Sequence, residues 1–154
     1  MKFKFIWIGR TKSAYLSQGI NDYVNRLKHY AQIEIKEIKP KNKSSEISTL
    51  KERETQLLEK NLITGEYHIA LDEKGKLFST EALAKFLAEL PKRGHKTITF
   101  FIGGPFGLEP KFLRKTDLVL SLSPLTFTHE MARIILLEQL YRVLTIWQGE
   151  KYHK

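Results

Sequence analysis

Apolar and polar positions alternate with a period of two over Lys2–Ile8, where Phe3, Phe5 and Trp7 oppose Lys2, Lys4 and Ile6. That period predicts a strand, which Gly9 ends. Over 13–30 the spacing lengthens, and Leu16, Ile20, Tyr23, Val24 and Leu27 share one face of a helix. Alternation returns over 33–39 and stops at Pro40. Residues 41–45 are polar and read as a loop ending in a helix cap. A helix over 46–62 is expected to turn Ile47, Leu50, Leu57 and Leu58 inward. A third strand spans 67–71, with a turn at 72–76. Ser79 reads as the cap of a helix over 80–90 whose core face holds Leu83, Phe86, Leu87 and Leu90. Thr97–Ile102 is apolar and β-branched enough for a strand buried on both faces. Pro110 opens a short helix to Lys115, a short strand covers 118–122, and a long helix runs from His129 to about Gln148.

Strands therefore start near residues 2, 33, 66 and 97, in βα units of about thirty residues without residue-level repetition. The fold class is α/β, a mostly parallel sheet with helices on both faces. With 154 residues and no linker, the chain reads as one domain. In the last helix, Ala132, Leu136, Leu137, Leu140, Tyr141, Val143, Leu144 and Trp147 cover more than half the circumference. One sheet needs only a stripe of about 100°. The surplus asks for a second copy of the chain, a homodimer.

Composition narrows the chemistry. The net charge is +9, shared about equally by the two halves, so a folded surface carries it and suits a polyanion such as RNA. There is no Cys, which excludes disulfides, thiolate metal sites and cysteine nucleophiles, and no cluster suggests a metal. No apolar run is long enough for a bilayer, and the charged start is unlike a signal peptide. The expected protein is soluble and cytoplasmic, with no membrane partner.

Three segments could carry chemistry. A buried strand runs into Gly103-Gly104-Pro105-Phe106-Gly107-Leu108. Strand carboxyl ends of parallel sheets bind ligands, and glycines let a ligand approach the main chain; a tight strand–helix turn would look the same. The second segment is Leu118 to Arg133, where a short strand ends in a Ser/Thr/Pro stretch that leads to a helix start bearing His129 and Arg133 on one face. His129 suits a cap or core as well as a site, whereas Arg133 opposes the helix dipole. The third is the tail, Tyr152-His153-Lys154, which could stack on a base and meet a phosphate or could simply fray.

Taken in order, these segments resemble one family: Ile102 to Leu108; Leu120 to His129 with Arg133; and Gln139-Leu140-Tyr141-Arg142 running on to Tyr152-His153-Lys154. The chain is similar throughout its length, including Leu71-Asp72 and Gly75-Lys76, to the RlmH family, the 23S ribosomal RNA (pseudouridine1915-N3)-methyltransferases of the SPOUT superfamily. One departure is visible: the family commonly has Pro where this chain has Thr128. The resemblance implies a trefoil knot in the carboxyl-terminal half, a homodimer, and S-adenosyl-L-methionine as methyl donor. By position it implies cofactor contacts at Leu71, Gly103, Leu122, Ser123, Pro124, Leu125, Thr126 and Phe127. The partner it implies is 23S rRNA, free or in the assembled ribosome. Methyl transfer needs alignment and a way to remove the imide proton. His129 and His153 are the candidate imidazoles, Arg133 and Arg142 could stabilise developing negative charge, and Tyr152 could stack on or orient the base. Gly103→Val is expected to abolish donor binding without unfolding the chain, and Tyr152 and His153 to have few core contacts. Two other classes remain open: a non-catalytic RNA-binding module and a flavodoxin-like nucleotide-binding enzyme, although the first βα turn has a single glycine, Gly9.

Overall fold

The computed structural model describes residues 1–40 and 46–154. The expected loop and cap over 41–45 lie outside the described residues. The chain runs β1 (Lys2–Ile8), α1 (Ala14–Leu27), β2 (Gln32–Ile38), α2 (Ile47–Glu59), β3 (Tyr67–Leu77), α3 (Thr80–Glu89), β4 (Thr97–Ile102), α4 (Pro110–Leu113), β5 (Leu118–Ser121) and α5 (His129–Trp147). All strand pairings are parallel, in the order β2-β1-β4-β3-β5. Helices cover both faces. On one, α1, α3 and α5 pack on Phe3, Phe5, Trp7, Ile69, Phe100 and Leu120. On the other, Leu58 of α2 and Phe112 of α4 pack on Ile6, Ile8, Ala70 and Phe101. The alternation in β1 thus sorts its side chains between two cores, and central β4 is buried on both sides.

Three local expectations change. Ile47 is 53% exposed; it opens α2, and the buried face of that helix comes later, at Glu54, Thr55 and Leu58. β3 does not end at Leu71. Leu71 and Lys76 both pair with Leu120, so residues 72–75 loop out as a bulge before pairing resumes through Leu77. A bulge breaks the period of two, which is why these polar residues read as a turn. Gly75 permits the close pass: a Cβ there would lie 2.6 Å from the Val119 carbonyl oxygen. Finally, much of the apolar surplus on α5 is met within the chain. No residue of α5 is fully exposed, because α1 and α3 flank it over the sheet. At Gly19 of α1 a Cβ would collide with the Ile134 side chain.

Candidate functional site

A cleft of about 1200 Å³ opens at the carboxyl ends of β3, β4 and β5. Main-chain loops build most of it: the 72–75 bulge, the glycine turn after β4, and the segment between β5 and α5. A smaller hollow of about 610 Å³ lies at the opposite edge, where Met1, Gln32 and Thr97 begin or precede their strands. We place the site at the larger cleft, since parallel sheets present their loops and open main-chain groups at strand carboxyl ends.

The glycine turn is closed by its own backbone. Gly107 N–H donates to the Gly104 carbonyl at 3.0 Å, and Gly107 adopts φ 76°. A Cβ on Gly103 would sit 2.7 Å from the Gly107 carbonyl carbon. The space at Gly103 is therefore filled by the turn itself, which corrects the expectation that a side chain there would displace only a ligand. Beneath Gly104 lies the buried carboxylate of Glu54, whose pKa burial pushes up.

The β5–α5 segment is pinned at both ends. The Ser121 hydroxyl lies 2.9 Å from the Glu73 carbonyl oxygen and 3.0 Å from that of Ser123, tying the segment to the bulge. Leu125 N–H donates to Ser123 Oγ at 3.0 Å. Thr128 caps α5, its Oγ1 accepting from Met131 N–H at 3.2 Å. The residue that departs from the family pattern thus supplies a helix cap that Pro could not. Leu71, Gly103, Leu122, Ser123, Leu125, Thr126 and Phe127 all line the cleft; Pro124 is exposed and does not.

His129 also lines the cleft, half-buried, and burial with the nearby Arg133 cation lowers its pKa. Arg133 behaves differently. It is 0% exposed and does not line the cleft; its guanidinium lies 4.9 Å from the centre of the Trp7 ring. It donates to the Ile8 carbonyl at 2.7 Å and to Thr11 Oγ1 at 3.0 Å. Its Nε has no hydrogen-bond partner among the described residues, and burial holds its pKa down to about 10. Glu130 completes this clamp. Its Oε1 accepts from the N–H groups of Lys12 and Ser13 at 2.8 and 3.0 Å, which lowers its own pKa. Ser13 caps α1 without its side chain, and Glu130 holds the N–H groups of the two residues that lead into that helix. The first turn of α5 therefore fixes the β1–α1 loop, whose last residue, Ser13, lines the cleft.

Arg142, Tyr152 and His153 form a separate cluster. From His129 to Arg142 is about 20 Å along a helix rising 1.5 Å per residue. Arg142 Nε donates to Glu138 at 2.6 Å, and its guanidinium lies 5.1 Å from the Tyr152 ring centre. Gly149, at φ 69°, turns the chain back along α5. Tyr152 consequently packs edge-on against Tyr141, with ring centres 4.6 Å apart. Burial is the leading reason its phenol is pushed up to about 12. His153 Nε2 lies 2.8 Å from Glu81. The tail is held by specific partners, contrary to the expectation of few contacts. Glu130, Tyr15 and Lys74 also line the cleft, and none of them stands out as a site residue in the sequence. Glu130 follows His129 directly, but nothing local reveals that its partners lie at Lys12 and Ser13.

Among the described residues, no His, Asp or Glu group is placed to hold a metal ion, and no helix is long and apolar enough to cross a membrane. The model of the family described as Predicted SPOUT methyltransferase matches residues 1–153. The chain is 40% identical over 154 residues to the Ribosomal RNA large subunit methyltransferase H of Desulfotalea psychrophila, covering 100% of both chains. It is 43% identical to the protein of the same name from Halothermothrix orenii, again over 100% of each. Among solved structures, a probable methyltransferase from Bordetella pertussis shares the fold with a TM-score of 0.57 at 13% identity, covering 92% of this chain and 95% of that one.

Proposed function

Since the chain belongs to the SPOUT methyltransferase family, we propose that it transfers a methyl group from S-adenosyl-L-methionine to N3 of pseudouridine 1915 in the 23S rRNA of the large ribosomal subunit. The observation that carries this reading is the cleft of main-chain loops at the ends of β3–β5, in a chain whose full-length relatives are named for methylating large-subunit rRNA. The residues fit such a donor: half-buried Leu71 and Leu122 offer apolar walls, and the exposed carboxylate of Glu73 faces a cleft that would receive a cation. Gly103, Ser123, Leu125, Thr126 and Phe127 would hold it through their loops.

When bound, the donor supplies a methyl group activated by a positively charged sulfur. The chain's task is to align that carbon with the base and remove the imide proton. His129 enters neutral at pH 7, because its environment disfavours protonation, so it can accept a proton. Arg142 would stabilise negative charge developing on the base, and Tyr152, a neutral phenol at this pH, would orient the ring. His153 is the second candidate base. Arg133, buried against Trp7, is a positioning residue.

The two clusters at opposite ends of α5 require a second copy to meet. The working unit is a homodimer in which one protomer's tail completes its partner's cleft. A trefoil knot belongs to the same reading. Support comes from the chain path: β5 lies at the sheet edge beside β3, its end tucked against the Glu73 carbonyl, while α5 returns over the sheet between α1 and α3. The chain acts as a single catalytic domain in the cytoplasm, where ribosomes reside.

Complementation tests the proposal. Thr126→Arg would fill the cleft and repel a cationic donor; deletion of 152–154 would remove the tail. Each variant alone should be inactive on ribosomes, and a co-refolded mixture should recover about a quarter of wild-type activity, the statistical share of intact composite sites in a two-fold dimer. Failure of the mixture to recover, with both variants dimeric, would overturn the shared site.

A further inference from the structure

Large apolar side chains are exposed in a pattern. Tyr15 is 70% and Phe106 45% exposed, and both line the cleft, as do exposed Leu125 and Phe127. Tyr15 stands in the first turn of α1, whose start Glu130 and Arg133 fix in place. Phe106 stands at the tip of the glycine turn, held by the Gly107 to Gly104 hydrogen bond. Neither ring has an aromatic or cation partner among the described residues, and neither belongs to the two hydrophobic cores. Both are mounted on rigid supports, on different walls of one cleft.

The surrounding charge says what would cover them. Arg10 and Lys12 lie on the β1–α1 loop, and Lys51 and Lys74 line the cleft. None of the four enters an ion pair among the described residues. Two of the nearby carboxylates are already engaged: Glu130 on the Lys12 and Ser13 amides, Asp72 on the Lys74 amide. Glu73 is exposed. In the proposed dimer the partner's tail, which carries Lys151 and Lys154, adds further positive charge at this cleft. A single-stranded polyanion with flat apolar faces satisfies both features at once.

We infer that Tyr15 and Phe106 form a stacking rim for unpaired RNA bases that neighbour the methylated nucleotide, with Arg10, Lys12, Lys51 and Lys74 receiving the adjoining phosphates. This rests on the proposed rRNA substrate and adds the residues that select a single-stranded segment. Stacking is sequence-tolerant, because every base has a π face, so the rim reads strandedness and position more than base identity.

The test uses the full-length protein, ribosomal subunits, and a single-stranded oligoribonucleotide carrying 2-aminopurine. Tyr15→Ser and Phe106→Ser should each raise KM for subunits about tenfold. Methyl-donor affinity and kcat should stay near wild type. Wild-type protein should quench 2-aminopurine fluorescence, Phe106→Ser should lose that quenching, and Phe106→Trp should restore it. A double variant with wild-type KM overturns the inference, as does one that sediments as a monomer, which would make the rim an interface between copies. A wild-type protein that methylates no RNA yet quenches the probe through Phe106 would refute the proposed reaction and leave the rim standing. If neither signal occurs, both fall.

Discussion

Gly103→Ala is the sharpest perturbation of the cleft, because its cost can be worked from the turn's geometry. The added Cβ would lie 2.7 Å from the Gly107 carbonyl carbon and 2.8 Å from its oxygen, where ordinary contacts begin at 3.4 Å. Both obstructing atoms are backbone, so no side chain can swing aside. Gly107 must retreat by about 0.7 Å, and the Gly107 to Gly104 hydrogen bond is stretched from 3.0 Å. Overpacking of this kind costs about 1–3 kcal/mol, and a lost hydrogen bond about 1 kcal/mol. The expected destabilisation is about 2–4 kcal/mol. Gly107→Ala is the control: its Cβ meets open space, but its φ of 76° strains an L residue, costing about 1–2 kcal/mol. Urea denaturation should rank Gly103→Ala as the more damaging, and calorimetry should show donor affinity falling with it, since the turn is a cleft wall. A Gly103→Ala protein as stable as wild type would refute the reasoning.

Arg133→Met tests the clamp. Lowering the arginine to about 10 from 12.5 corresponds to a burial penalty of about 3 kcal/mol, which the variant recovers. It also forfeits bonds to Ile8 and Thr11 worth about 1–3 kcal/mol. Stability measured in urea should therefore move by less than about 2 kcal/mol while activity on ribosomes drops; a loss above about 4 kcal/mol would contradict this balance. The pH dependence follows from His68 and His129, both shifted below 6.5, chiefly by burial. Above 6.5 both are neutral folded and unfolded; as pH falls below 6.5 the unfolded chain binds protons first, so stability is lost. His68→Gln should flatten that acid limb in pH-dependent denaturation, and an unchanged slope would exclude His68 as a source. Deleting 152–154 removes the Tyr152 contacts with Tyr141 and Arg142, an expected loss of about 1–2 kcal/mol; an unchanged melting temperature would return the tail to a frayed end.

Period and punctuation carried most of the architecture. β1 and β4 were visible because one alternates and the other is apolar throughout, and Ser79 caps α3 as expected, accepting from Ala82 N–H at 3.1 Å. Parallel order marked the strand carboxyl ends, where such sheets open, and the family resemblance named Leu71, Gly103 and the 122–127 segment there; all of these but Pro124 line the cleft. What stayed hidden was non-local. The 72–75 bulge depends on a partner strand over forty residues away. The Glu130 and Arg133 contacts span more than a hundred. Arg133 resembled a site residue because it opposes the helix dipole; in the fold a carbonyl, a hydroxyl and the Trp7 ring receive it. The tail reads as free in sequence because nothing local shows that Gly149 reverses the chain onto Tyr141.

The most direct test of the central claim is mass spectrometry of 23S rRNA after incubating ribosomes that lack the modification with this protein and isotopically labelled S-adenosyl-L-methionine. The account predicts one labelled methyl group, confined to the fragment containing pseudouridine 1915 and located at N3. A label at another nucleotide, or none from a protein that binds the donor, would contradict it.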